Sequence, residues 1–258
     1  MTAEMAGSER WVRRHGAKPG APRLVCFPHA GGGASSYQGW ARELAPEVEI
    51  LAVRCPGRED RFDEPPAPSI EALADEIAAA LPVTRERPLV LFGHSMGAAV
   101  AFEVARRIER DCPGGLLRLC VSGRPAPHAA LASAVHLLSD DALVEDLRAL
   151  EGTSSDILDS ADFRSLFLPA IRDDYRLIET YRPDPRARIS APVSAYCGTD
   201  DPHVSPAEML RWSEITAGEF ASHVFPGGHF YLHERLAEVA AEVARTLAAA
   251  HGCQVPTA

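Results

Sequence analysis

Apolar residues in this chain cluster into short continuous runs, separated by longer stretches in which they recur every three or four positions. The runs in Arg23–Pro28, Glu49–Arg54, Leu89–Phe92, Leu116–Val121 and Pro192–Cys197 have the length and composition of buried strands, and His223–Phe225 reads as a short last one. Helical spacing fills the intervals. Ile70, Leu73, Ile77 and Leu81 share one face of a helix with Ser69 as its N-cap; Gln38–Ala45, Ala98–Ala105, Ala207–Trp212 and Glu234–Ala250 read as others. Strands alternating with helices imply an α/β domain whose mostly parallel central sheet is covered on both faces.

The alternation breaks once. Between about 128 and 188, Asp140–Leu150, Ala161–Leu168 and Pro169–Tyr181 read as helices with no strand among them. Both ends return to the sheet, so this stretch predicts an inserted helical lid within a single domain, 1–258, rather than a second domain. Its Leu166, Phe167, Leu168 and Ile171 suit either an acyl channel or packing onto the core. Residues 1–22 read as a mobile lead-in with Trp11 as its anchor.

Candidate chemistry starts at the end of the third strand. Gly93-His94-Ser95-Met96-Gly97 fits Gly-x-Ser-x-Gly between a buried strand and a helix, the setting of a nucleophile elbow and of the α/β-hydrolase fold. The glycines let the backbone cross close to the turn, and Ser95 sits at a helix N-terminus that favours a developing anion. The first strand ends in Pro28-His29-Ala30-Gly31-Gly32-Gly33. This loop lacks the Gly-Lys-[Ser/Thr] of a phosphate loop and the spacing of a dinucleotide fingerprint. With an elbow downstream its use is an oxyanion hole, with Ala30 and Met96 as the backbone N–H donors. A serine hydroxyl needs a base, and the base a carboxylate to orient it. Asp200 and Asp201 follow the Pro192–Cys197 strand, Ser122-Gly123-Arg124 after the preceding strand offers no acid, and His229 sits on a loop before the last helix. Ser95, Asp201 and His229 fall in the order nucleophile, acid, histidine. Of the other histidines, His94 reads as structural, His29 as shaping the oxyanion loop, and His203 and His233 as neighbours of the acid and base loops.

Bulk properties narrow the setting. A formal net charge of −10 argues against nucleic acid as the main partner. No apolar run approaches the ~18–20 residues of a membrane span, and the N-terminus lacks an apolar signal core, so a cytoplasmic protein is expected. The six cysteines, at 26, 55, 112, 120, 197 and 253, form no Cys-x-x-Cys pair and read as small buried hydrophobes.

Six segments together resemble the type II thioesterases of modular polyketide and nonribosomal peptide synthesis: Phe27–Ala34, Cys55-Pro-Gly-Arg58, Gly93–Gly97, Ser122–Pro127, Gly198–Pro202 and Gly227–Phe230. The resemblance covers roughly Leu24 to Leu247. It implies Ser95 as nucleophile, His229 as base, and Asp201 rather than Asp200 as acid, since the family's acid precedes proline. It further implies Ala30 and Met96 at the oxyanion positions, and hydrolysis of acyl groups from the phosphopantetheine arm of acyl or peptidyl carrier proteins, with no metal or bound cofactor. A monomer is expected. Carrier proteins are usually acidic, which makes Arg54, Arg58, Arg61, Arg172, Arg176, Arg182, Arg186 and Arg188 candidates for docking. The alternatives are a carboxylesterase on small free esters, a non-catalytic acyl-carrier-binding protein of the same fold, and a chain-releasing or cyclising thioesterase.

Overall fold

The computed structural model describes residues 8–129 and 132–252. Seven strands form one sheet: β1 (Val12–His15), β2 (Arg23–Phe27), β3 (Glu49–Val53), β4 (Leu89–His94), β5 (Leu116–Ser122), β6 (Val193–Gly198) and β7 (Phe220–Phe225), in spatial order β1-β3-β2-β4-β5-β6-β7. Only β1 runs antiparallel; every other neighbouring pair is parallel. The chain thus winds outward from the centre in both directions. Strand ends that carry function open onto one edge of the sheet, where ligands of open α/β sheets bind.

The pleat divides each central strand between two cores. Val25, Phe27, Leu51 and Val53 pack under α2 (Ile70–Ala80) and α3 (Met96–Asp111). Leu24, Cys26, Ile50 and Ala52 pack with α1 (Gln38–Leu44) and the C-terminal helix, through Trp40, Val239 and Val243. Every residue of β2, β4 and β6 is buried, which is why these strands appear in sequence as mainly apolar runs, with Arg23, His94 and Ser194 as their buried polar positions. Ser69 caps α2 by accepting from the Ala72 N–H at 3.2 Å, as its position predicts.

Between β5 and β6 lie α4 (Asp140–Ala149), α5 (Ser155–Leu158), α6 (Ala161–Leu166) and α7 (Leu168–Thr180). They carry a small core of their own, Leu143, Val144, Leu158 and Leu168. After β6 come α8 (Pro206–Met209), a 3₁₀ segment Leu210–Ile215, α9 (Tyr231–Glu234) and α10 (Leu236–Ala250).

Several expectations need correction. Within the lead-in expected to be mobile, residues 8–11 are helical and Val12–His15 pairs with β3, while residues 1–7 lie outside the described residues. Trp11 is the anchor expected, buried with the Arg61 guanidinium 4.0 Å from its ring centre. The strand predicted at His223–Phe225 begins at Phe220. The last helix begins at Leu236, after a separate turn at Tyr231–Glu234. Cys253 lies outside the described residues; Cys26, Cys55, Cys120 and Cys197 are buried free thiols, and burial pushes each up, Cys120 to about 12.

The sheet and helices meet most closely at the elbow. A Cβ on Gly97 would stand 2.2 Å from the Phe27 carbonyl oxygen, and one on Gly93 2.2 Å from the Gly97 carbonyl oxygen. Neither neighbour is a flexible side chain. Gly97→Ala is therefore expected to cost on the order of 3 kcal/mol, read as a lowered denaturation midpoint; an unchanged midpoint contradicts this packing.

Candidate active site

Ser95 sits at the joint of β4 and α3 with φ +54° and ψ −120°, a region costly for a residue with a side chain. Its N–H donates to the Ser122 carbonyl at 2.8 Å, tying the strained turn to the neighbouring strand. Twenty-eight positions downstream of Asp201, His229 directs Nδ1 at the Asp201 carboxylate, 2.8 Å away. Both side chains are buried, and the second Asp201 oxygen accepts from the His203 N–H at 2.8 Å. Asp200 is instead exposed and takes the Thr199 hydroxyl. The structure thus selects Asp201 as the partner of His229.

Ser95 and His229 line one cavity of about 820 Å³, together with Ala30 and Met96. Among the described residues neither Ser95 Oγ nor His229 Nε2 has a hydrogen-bond partner; catalytic hydrogen bonds are often long in the absence of substrate. The N–H groups of Ala30 and Met96 also have no acceptor among those residues, whereas the next two N–H groups of the loop, at Gly31 and Gly32, are occupied by Asp174 and by the His29 carbonyl. Met96 opens α3, so its free N–H is one of the unsatisfied donors of a helix start.

The site is surrounded by histidines held neutral. Burial lowers His29 to about 3, and His94 falls well below its ordinary value for the same reason. His203 and His233 are lowered by burial as well. His94 packs against the His229 ring in a tilted arrangement with centroids 4.8 Å apart, and its Nδ1 meets Ser122 Oγ at 2.9 Å, which in turn meets the Tyr231 hydroxyl at 2.7 Å. The structural reading of His94 therefore fits: it forms the wall behind His229. His29 packs edge-on against Phe230, with centroids 4.8 Å apart, and crowds Gly32, where a Cβ would come within 2.9 Å of its ring.

Arg58 departs from the surface role expected of its loop. It is buried, forms a two-pronged pair with the buried Asp174 of α7, and donates to the Gly32 carbonyl at 3.0 Å. Asp174 also accepts from the Gly31 N–H at 2.7 Å. This pair joins the inserted helices to the loop carrying Ala30. No local pattern in the sequence could reveal it, because the two residues are 116 positions apart. Of the apolar insertion residues, Phe167 and Ile171 line the cavity, Leu168 belongs to the insertion's own core, and Leu166 is exposed. Among the described residues, no group of three or more His, Cys, Asp or Glu is placed to hold a metal ion, and no helix is long and apolar enough to cross a membrane.

A parallel sheet with a strained serine at its strand-to-helix elbow, followed by an acid after a later strand and a histidine after the last, defines the α/β-hydrolase fold. A family model for the thioesterase domain matches residues 22–249. The chain is 44% identical over 239 residues to a probable cadicidin biosynthesis thioesterase of Streptomyces griseus, covering 92% of this chain and 66% of that one. It is 42% identical over 244 residues to the thioesterase PikA5 of Streptomyces venezuelae, covering 94% and 87%. Among solved structures, the type II thioesterase BorB from the borrelidin biosynthetic cluster superposes with a TM-score of 0.84 at 45% identity, covering 92% of this chain and 97% of that one. The chain belongs to the thioesterase family, and it is an acyl-thioester hydrolase.

Two outcomes follow. Arg58→Met or Asp174→Leu alone leaves a buried charge unpaired and is expected to cost about 3–5 kcal/mol of unfolding free energy, with the double variant less destabilised than the sum; additive losses contradict a coupled pair. The lowered histidines make the unfolded chain bind protons that the folded one does not. Stability is thus expected to be complete above the ordinary histidine value and to fall as pH drops from about 6.5 toward 3. Replacing His29 by Gln should flatten that slope by up to about 1.4 kcal/mol per pH unit, measured by denaturant titration.

Proposed function

We propose that this enzyme releases acyl groups held as thioesters on the phosphopantetheine arm of carrier-protein domains of a polyketide or nonribosomal peptide synthase. Ser95 Oγ attacks the thioester carbonyl while His229 Nε2 takes its proton, and Asp201 holds the ring through Nδ1 and stabilises the imidazolium. The tetrahedral oxyanion is received by the N–H groups of Ala30 and Met96. His229 then protonates the leaving thiol, and water released onto the acyl-enzyme through the same base frees Ser95 and the carboxylic acid. The inserted helices act as a lid, shaping the cavity and limiting water.

The observation that carries this reading is the convergence of Ser95, an Asp201-anchored His229 and two unoccupied N–H groups on one cavity. Relatives named for biosynthesis thioesterases and a structure from a biosynthetic cluster support the choice of a carrier-bound substrate. The docking candidates are fewer than the sequence suggests. Arg58 and Arg61 are buried, Arg54 pairs with Asp60, Arg172 with Asp140, and Arg176 with Asp173. Arg182, Arg186 and Arg188 are exposed and have no carboxylate partner among the described residues, which suits an acidic carrier.

The test follows acyl release from a phosphopantetheinylated carrier loaded with acetyl or propionyl, with an aryl ester in parallel. Release by the wild type is expected to outpace ester cleavage, to fall at least ~10³-fold in Ser95→Ala, and to fall roughly 10³–10⁴-fold in Asp201→Asn. Fast ester cleavage with an untouched carrier would establish an esterase instead.

A further inference from the structure

One charged group in the cavity has no task in the chemistry above. Arg124 lines the cavity wall, one residue beyond Gly123, whose Cβ position lies 3.2 Å from the His229 ring. Its backbone is fixed from both sides: the Gly123 N–H donates to the Tyr196 carbonyl at 3.0 Å, and Trp212 Nε1 donates to the Arg124 carbonyl at 2.8 Å. The guanidinium, by contrast, has neither an ion pair nor a hydrogen bond among the described residues. Surrounding protein lowers its pKa to about 10, only partly offset by Tyr181 and Glu179.

The carboxylates near it are engaged elsewhere. Glu179 accepts from the N–H groups of Val135 and His136 at 2.8 and 2.9 Å, from the Ser133 hydroxyl and from the His136 ring. Glu208 is held by Ser205 in a capping box. The Tyr181 hydroxyl donates to Glu103 at 2.7 Å. An arginine with five N–H donors, partly removed from water and lining a cavity whose nearby carboxylates are engaged elsewhere, is an unbalanced positive charge. It shares the cavity lining with His203 and His229, which belong to the acid and base loops.

We propose that Arg124 is an anion-recognition residue of this cavity, binding a carboxylate or phosphate oxygen carried by the thioester substrate. The proposal rests on the reading of the cavity as the thioester site. A guanidinium matches such oxygens in a two-pronged geometry that a lysine cannot reproduce. Two parts of a thioester can supply the anion, an acyl chain ending in a carboxylate or the phosphate of the pantetheine arm, and substrates can separate them.

The experiment uses four thioesters of equal acyl length, butyryl or succinyl, each on pantetheine or on 4′-phosphopantetheine. Arg124→Gln and Arg124→Lys are compared with the wild type for kcat/KM. In the Ser95→Ala background, with and without Arg124→Gln, the dissociation constants of the same four are measured. Arg124→Gln is expected to weaken kcat/KM and binding roughly ten- to hundredfold, the span of one charge-assisted contact, with Arg124→Lys in between. If the acyl carboxylate is recognised, the loss confines itself to both succinyl compounds; if the phosphate, to both phosphopantetheine compounds. Equal losses on all four, or none, would overturn the proposal. Binding without turnover keeps this test apart from the role of Ser95: a wild type that binds with the expected preference yet hydrolyses nothing refutes the nucleophile and leaves Arg124 standing.

Discussion

At the centre of the molecule two pieces of backbone cross with no room for a side chain between them. Gly97 lies against the Phe27 carbonyl, and Gly93 against Gly97 itself. That crossing brings the start of α3 under the end of β2, so the loop after β2 and the residue after Ser95 come to face the same cavity. Ser95 accepts a backbone conformation costing about 1–3 kcal/mol because the surrounding contacts over-determine it: β4 is buried throughout, α3 is buried along most of its length, and the Ser95 N–H is bonded to β5. The strain puts the hydroxyl outward, and the free N–H of Met96 follows from the helix beginning there.

The second organising contact is the Arg58–Asp174 pair. A buried pair is weak evidence of added stability, because desolvation opposes the Coulomb attraction. Its value here is geometric. The one carboxylate of Asp174 fixes α7, holds Arg58 and takes up the Gly31 N–H, while Arg58 grips the Gly32 carbonyl. With those groups occupied, the N–H of Ala30, a residue lining the cavity, is left without an acceptor among the described residues. The inserted helices and the loop carrying Ala30 are therefore set by the same contact, which links the shape of the cavity to the position of that loop.

Most of the fold could be read from the sequence because the buried strands leave a local trace. Residues of β2, β4 and β6 meet protein on both faces, so apart from Arg23 and His94 at the strand ends and Ser194 and Tyr196 within β6 their positions are apolar or glycine. The elbow and Asp201 are legible for the same reason, since each follows such a strand, whereas His229 is marked by the Gly227-Gly228 turn before it and by its place ahead of the last helix. β1 left no such trace. Its Val12-Arg13-Arg14-His15 lies at the sheet edge, and Arg13 and Arg14 point to Glu59 and Glu49, so the strand looks polar. β7, at the opposite edge, alternates between partly buried and exposed positions, and only its last half was recognised. Arg58 and Arg61 look like docking candidates in the sequence because what buries them, Asp174 and Trp11, comes from distant parts of the chain. Arg124 carries no signal in the sequence; what sets it apart is that its guanidinium has no partner among the described residues, a property of the fold alone.

The central claim is that the strained Ser95 is the nucleophile and His229 its base. Labelling with a serine-reactive fluorophosphonate, followed by peptide mass spectrometry, tests it most directly. Loss of thioesterase activity should track one adduct per chain on the peptide containing Ser95. The adduct should be absent from Ser95→Ala and form much more slowly in His229→Ala. Inactivation with the adduct on another residue, or labelling of Ser95 at the same rate without His229, would contradict the account.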